Sequence, residues 1–373
     1  MHMLAASRVF TGTETLEGAT IHISEGCITD VAPGMAPGAE VLDGLLAPGL
    51  VDVQVNGGGG VLFNDAPTVA SLQTMTAAHA QLGVTGLMAT LISDQRAKIA
   101  AAIEAVADCS RDGIPGLIGL HLEGPWLSEP KRGVHPQRFL RGLDAEDMAL
   151  LTRARSFPLM VTIAPEQASP DNVKALVAAG VVVSIGHTAA DHTEIEALLA
   201  AGATGFTHLL NAMPPLEGRN PGPVGVALAS TNAWAGLILD GIHVHPISAR
   251  AVFAAKSARR LMLVSDAMST VGSASPSMSL FGEHIEVRDG ALRTPAGTLA
   301  GAHLDLSQAV RNAVSMLGAS PEDALRMASL TPSEFLRIGH QRGRISVGAR
   351  ADLILLGPDL NVRKVWIGGE AIR

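Results

Sequence analysis

Four side chains of this 373-residue sequence have the types and the setting for hydrolysis at a bound cation: Glu123, His187, His208 and Asp266. A carboxylate and two imidazoles fill three positions of a four-coordinate zinc ion and leave the fourth for water. Such an ion lowers the pKa of its water to about 7, so hydroxide is at hand near neutrality. A nearby carboxylate must then take the proton and hand it to the leaving group. Asp266, in Val264-Ser265-Asp266-Ala267, is the candidate. The three ligands stand 64 and 21 residues apart, too far for a local clip, so separate elements must bring them together. Read without a metal, each is an ordinary hydrogen-bonding partner, and Asp266 is the N-cap of the segment that follows it.

The elements favour convergence. Residues 47–342 alternate short apolar runs with Ala/Leu-rich stretches, the pattern of repeated βα units on a parallel sheet. Eight strands are predicted: Leu50–Val55, Gly86–Thr90, Leu117–Leu122, Leu159–Ile163, Val181–Ile185, Gly205–Thr207, Ala235–Leu239 and Leu261–Val264. Helices are predicted over Val69–Leu82, Ala97–Cys109, Asn172–Ala179, Thr193–Ala201 and Ile247–Ser257. The pattern predicts an α/β fold, a (β/α)8 barrel, in which reactive groups stand at the carboxyl ends of the strands. In order, the predicted strands finish at Gln54 and Asn56, Thr90, Glu123, Glu166, His187, His208, His243 and Asp266. Polar groups at nearly every strand end are hard to attribute to chance. Residues 1–46 and 343–373 read instead as strands and turns. Ala19–Ser24 alternates with period two, and Arg344–Val347, Asp352–Leu356 and Val362–Ile367 follow near the other end. Together they predict one small β domain built from both termini.

Composition narrows the function. With 47% hydrophobic and 17% charged residues the chain is not disordered. A net charge of −8 denies it the electrostatic footprint of a nucleic-acid binder, and few aromatics leave little for base stacking. Its densest basic spots, Arg259-Arg260 and Arg342 with Arg344, read as solvated surface. Two isolated cysteines, Cys27 and Cys109, argue against a disulfide framework and fit the cytoplasm. Neither a signal peptide nor a membrane span is expected.

Two stretches read as substrate contacts. Lys131–Pro136 offers donors that include His135. The stretch His208–Gly222 is too rich in Pro and Gly for a helix, and its Arg219 fork with backbone amides suits a phosphate. The run Gly57–Gly60 lacks the Lys-Ser/Thr of a P-loop and reads as a turn that brings backbone close to the site.

The sequence resembles the N-acetylglucosamine-6-phosphate deacetylases of the amidohydrolase superfamily along nearly its whole length. The marks are Ala47-Pro-Gly-Leu-Val-Asp52, His121-Leu-Glu-Gly-Pro125, Ser184-Ile-Gly-His-Thr188, Thr207-His-Leu-Leu-Asn-Ala-Met213, Asp240-Gly-Ile-His243 and Ser265-Asp-Ala267, with Leu299-Ala-Gly301 and the tail Gly343–Asp352. The Glu123 motif and the Asn211–Gly222 loop are the most specific. The resemblance implies a distorted (β/α)8 TIM barrel with a small β-sandwich domain formed from both termini. It implies metal-dependent hydrolysis of the acetamido group of N-acetyl-D-glucosamine 6-phosphate to D-glucosamine 6-phosphate and acetate.

By motif, Glu123, His187 and His208 would bind one divalent metal, zinc, and Asp266 would be the general base and acid. His135 would hydrogen-bond the acetamide carbonyl and steady the oxyanion. Asn211, Ala212, Arg219 and His243, with Leu299, Ala300 and Gly301, would hold the sugar phosphate. A homodimer is implied, with the phosphate pocket near the subunit interface and neither nucleic acid nor membrane as partner. Many amidohydrolases carry His-x-His at the end of the first strand, where this chain has Gln54-Val55-Asn56. Amides are poor zinc ligands, so this second-metal position is vestigial and one metal is expected. Asn220 replaces a Glu common in related sequences. His192 and His245 are assigned to the surface or to support of the ligands, as are His121 and Glu166 to support.

Three other readings remain. The sugar could be N-acetylgalactosamine 6-phosphate. A cyclic-amide hydrolase or dipeptidase would commonly use His-x-His and a bridging lysine, which this chain lacks. A catalytically silent sugar-phosphate-binding barrel is opposed by the intact Glu123, His187, His208 and Asp266.

Overall fold

The computed structural model describes residues 2–372. Eight parallel strands form one sheet in chain order: Leu50–Val55, Val84–Ile92, Leu117–Glu123, Leu159–Ile163, Val182–Ile185, Gly205–Phe206, Trp234–Ile238 and Leu261–Val264. A parallel bridge from Val55 to Ala267 brings the first strand against the segment after the last and nearly closes the barrel. A parallel sheet covered by helices is apolar on both faces. The second strand shows this, with all nine of its residues buried. Helices follow the strands at Val69–Ala80, Arg96–Asp112, Pro170–Ala178, His192–Ala200, Gly222–Ala229 and Pro246–Arg260. Their starts are chemically marked: Thr68, Ser169 and Asp191 each accept the backbone N–H three residues on. The Pro/Gly-rich loop after the sixth strand is irregular, and a helix begins at its last residue, Gly222.

The chain ends meet in a seven-stranded sheet. Its order is Glu370–Ala371, Val362–Ile367, Leu353–Leu356, Glu40–Pro48, His2–Phe10, Thr15–Ser24 and Cys27–Pro33. The antiparallel pairing of Leu353–Leu356 with Glu40–Pro48 joins the two ends. Leu4, Ile21, Leu46, Leu353 and Trp366 form a core of its own, while Phe10, Leu45, Ile354 and Ile367 belong to the barrel core.

Two expectations need correction. Arg344–Val347 is not a strand. Ile345 donates to the Thr11 carbonyl, but Gly343 and Gly348 at φ +74° and +86° turn the chain on either side before a ladder can form. Nor is Arg342 solvated surface. Its side chain is 15% exposed, ion-paired with Asp352, and it donates to the Thr85 carbonyl at 3.3 Å. Arg260 lies over the Trp234 ring at 3.9 Å.

The sequence reading assigns no element to residues 277–293. They form an antiparallel meander, Ser277–Leu280, Glu283–Arg288 and Ala291–Arg293, whose Leu280, Ile285 and Leu292 pack with Ile92, Met268 and Ala300. Among the described residues no helix is long and apolar enough to cross a membrane.

Candidate metal centre and active site

The barrel turns its strand-end side chains inward through strained backbone. His187, His208 and Asp266 have φ of +50°, +29° and +51°, and Ala212 has +52°. Left-handed backbone costs a non-glycine residue about 1–3 kcal/mol and persists where the surroundings enforce it, often at functional sites. Gly186, just before His187, lets the backbone pass close to its neighbours. A Cβ there would lie 2.8 Å from Thr162 Cγ2 and 3.0 Å from Thr207 Cβ.

Glu123 Oε1, His187 Nε2 and His208 Nε2 converge. The two imidazole nitrogens lie 3.2 and 2.9 Å from the carboxylate oxygen and 3.0 Å from each other. His187 Nδ1 donates to the Lys131 carbonyl at 2.8 Å, so in the neutral ring Nε2 carries a lone pair. That lone pair faces a carboxylate oxygen and a second imidazole nitrogen, an arrangement a cation relieves. Around a tetrahedral zinc with bonds of roughly 2.0–2.1 Å, ligand atoms sit roughly 3.3 Å apart. The three donors are already close to that spacing. Glu123, His135 and His187 also offer donor atoms within 4.8 Å of one another. It is the backbone oxygen of Lys131, not its ammonium, that reaches the site.

The strand-one amides link the candidate ligands to Asp266. Gln54 Nε2 donates to Glu123 Oε1 at 3.1 Å and to Asp266 Oδ1 at 3.2 Å. Asn56 Nδ2 donates to the same Asp266 oxygen at 2.7 Å. Among the described residues Asp266 Oδ2 accepts no hydrogen bond. The segment after Asp266 is not a helix, so the N-cap reading fails. Burial, and then the Glu123 charge, pushes the Asp266 carboxyl up to about 6. Burial opposes ionisation of Glu123 too, but its contacts with the His187 and His208 rings outweigh burial and hold it well below the usual range.

These residues open on one cavity of about 180 Å³. Of the site residues named from sequence, Asn56, Glu123, His135, His187, His208, Asn211, Ala212, His243, Asp266, Leu299 and Gly301 line it. Gln54 lies against its wall through Asp266, and Ala300 is buried behind it. Arg219 does not line it and is exposed on its loop. His243 Nδ1 donates to Asp240 Oδ2 at 2.6 Å, and Asp240 Oδ1 accepts the N–H groups of Ile242 and His243 at 2.8 Å. Burial is again outweighed there, and the His243 contact holds Asp240 below its usual range. Burial drives His135 down to about 3, so its ring is neutral.

Supporting contacts explain two further strand-end groups. His121 bridges Thr90 and Thr162, which continues through Thr207 to Ser184 in a buried chain below the candidate ligands. Glu166 accepts from Thr188 Oγ1 and the Ala189 N–H at 2.6 and 2.8 Å, fixing the loop after His187. His192 and His245 are exposed. At the Gly57–Gly60 turn, Gly57 has room for no side chain: a Cβ would lie 2.4 Å from the Val61 carbonyl oxygen. The sequence reading missed Ser93, whose N–H and Oγ lie 3.3 and 2.8 Å from His135 Nδ1. It follows the second strand rather than ending it, and only its position beside Asp94 in a βα loop could have pointed to it. Ile92, Ile238 and Met268, apolar lining residues, carry no sequence signal that separates them from the core.

Residues 45–372 match the model of the amidohydrolase family. The chain is 42% identical to the N-acetylgalactosamine-6-phosphate deacetylase of Shewanella sp. (strain ANA-3), over 98% of this chain and 94% of that one. It is 35% identical to the N-acetylglucosamine-6-phosphate deacetylase of Vibrio furnissii, over 100% and 95%. Its structure is similar to that of an alanine variant of the Mycobacterium smegmatis N-acetyl-D-glucosamine-6-phosphate deacetylase in complex with N-acetyl-D-glucosamine-6-phosphate. The TM-score is 0.92 with 33% identity, covering 100% of this chain and 99% of that one.

Proposed function

The chain belongs to the amidohydrolase family, and on that premise we propose that it hydrolyses the acetamido group of N-acetyl-D-glucosamine 6-phosphate to D-glucosamine 6-phosphate and acetate. The observation that carries this reading is the set of three donor atoms within 3.2 Å of one another, joined through the Gln54 amide to Asp266. A divalent metal, zinc by the chemistry of the donors, would be held by Glu123, His187 and His208 and would supply Lewis acidity toward water and the acetamide oxygen. The strand-one amides offer no ligand comparable to imidazole, which supports one metal per subunit.

The side chains divide the remaining work. Asp266, gripped at Oδ1 by two amides, has Oδ2 left to take a proton from the attacking water. The same oxygen returns it to the departing amine, which leaves poorly as an anion. His135, engaged at Nδ1 by Ser93, has Nε2 left to donate to the acetamide oxygen as negative charge develops there. His243, tied at Nδ1 to Asp240 Oδ2, lines the cavity and is placed as the side chain beside the phosphate. Asn211, Ala212, Leu299, Ala300 and Gly301 shape the sugar site.

Arg219 is exposed and outside the cavity of its own chain. We place it across a homodimer interface, as an anchor for phosphate in the neighbouring pocket. Exposed Leu216 on the same loop supports a protein contact there. The free thiols Cys27 and Cys109 support a cytoplasmic location.

A second reading, N-acetylgalactosamine 6-phosphate, is favoured by the 42% identity to the Shewanella relative. The two sugars differ only in the orientation of one hydroxyl. The test is acetate release from both phosphates and from unphosphorylated N-acetylglucosamine, by metal-loaded protein. The proposal expects the highest kcat/KM with the gluco phosphate and little turnover without phosphate. The reverse order between the two phosphates would move the assignment to the galacto sugar. No release from either would overturn both readings.

A further inference from the structure

We propose that Ser93 is a positioning residue that holds His135 as its Nε2–H tautomer, so that His135 serves as a fixed hydrogen-bond donor and not as a metal ligand. The reaction role rests on the function proposed above; the tautomer does not.

A backbone N–H can only donate. The Ser93 N–H points at His135 Nδ1 from 3.3 Å, and the Ser93 hydroxyl stands 2.8 Å from the same atom. Nδ1 must therefore carry the lone pair, and the single proton of the neutral ring lies on Nε2. Neither partner is free to turn. The Asn64 amide grips Ile92, next to Ser93: its Oδ1 accepts the Ile92 N–H at 2.9 Å, and its Nδ2 donates to the Ile92 carbonyl at 3.0 Å. On the other side of Ser93, Asp94 is ion-paired with Lys98 at 2.9 Å. His135 is tied to Arg132 twice, its N–H donating to the Arg132 carbonyl at 3.1 Å and Arg132 Nη1 to its own carbonyl at 3.0 Å.

Gly124 completes the arrangement. A Cβ on it would lie 2.4 Å from Ser93 Oγ, so the glycine that follows the Glu123 ligand makes room for the hydroxyl. This decides between two overlapping cation sites. Glu123 and His187 group with His135 within 4.8 Å, and more tightly with His208, within 3.2 Å. A ring whose Nδ1 is taken and whose Nε2 is protonated has no lone pair for a metal, so His208 is the third ligand.

The test uses zinc-loaded, full-length protein labelled with 15N at histidine. Long-range 1H–15N correlation spectra distinguish the two neutral tautomers and a metal-coordinated nitrogen, and His135→Gln identifies the His135 signals. The expected result is the Nε2–H pattern at His135 and metal coordination at His187 and His208. An Nδ1–H pattern or a metal-coordinated His135 overturns the proposal. In Ser93→Ala the backbone donor remains, so the expected result is a retained Nε2–H tautomer on a ring that has lost its shorter contact, the one at 2.8 Å. With unchanged metal content, kcat should then be roughly tenfold lower and KM little changed. An unchanged tautomer with unchanged kcat removes Ser93 from the account. If Ser93→Ala does not fold, the spectrum of the unaltered protein still decides. The expected spectrum in a protein that turns over no sugar phosphate would sink the proposed function and leave the tautomer standing.

Discussion

Replacing Asn56 by leucine should move the acid limb of the kcat/KM profile upward. Asn56 Nδ2 donates to Asp266 Oδ1 at 2.7 Å, and Gln54 adds a longer bond at 3.2 Å. A hydrogen bond to a charged group is worth about 1.5–3 kcal/mol, and about 1.36 kcal/mol corresponds to one pKa unit. Leucine has a similar size and cannot donate, so the ionised carboxylate loses that support while Gln54 stays. The sign follows from the role. Asp266 is a base only when ionised, so kcat/KM falls as pH drops through its pKa. Without metal, burial and the Glu123 charge raise that carboxyl to about 6. A bound cation draws it down, so the limb of the unaltered protein lies at or below about 6. In Asn56→Leu it should lie roughly one to two pH units higher, with the alkaline plateau less affected. The assay is acetate release by both proteins at matched metal content, from about pH 5 to 9. An unmoved limb, or a uniform loss at every pH, would refute the reasoning.

Other outcomes follow from the same geometry. Asp266→Asn should still bind metal and sugar phosphate but lose kcat by orders of magnitude, and a near-normal kcat would remove Asp266 from the chemistry. Arg219→Ala should chiefly raise KM, because a phosphate anchor remote from the reacting bond supports ground and transition states alike; a loss confined to kcat would contradict it. Asp147 is fully buried and accepts from Arg96, Arg141 and Trp126. Its removal in Asp147→Ala should cost about 3–5 kcal/mol in denaturant unfolding, because two arginines lose a shared buried partner. A change below about 1 kcal/mol would show that the pairing adds little to the fold.

The barrel was legible in the sequence because a parallel sheet buried on both faces leaves unbroken apolar runs, as at Leu159–Ile163. The strand-end groups that gather at the cavity were legible because each ionisable residue interrupts such a pattern where a strand ends. The register of Arg344–Val347 was not legible. Its alternation mimics a strand, and only the tertiary placement of the flanking glycines shows that the chain turns. Arg342 looked like surface charge because its partner, Asp352, is ten residues away and meets it only in the fold. Ser93 was hidden for a related reason. A serine in a loop has no periodicity, and its meaning lies in the His135 ring 42 residues further on. The linkage of Gln54 and Asn56 to Asp266 spans more than 200 residues and follows from barrel closure.

The most direct test of the account is a titration of metal-free protein with zinc while amine release from N-acetyl-D-glucosamine 6-phosphate is followed. Activity should be absent at the start, rise in proportion to added metal, and stop rising at one ion per subunit. Full activity in the metal-free protein, or a rise that continues to two ions, would contradict a single cation held by Glu123, His187 and His208.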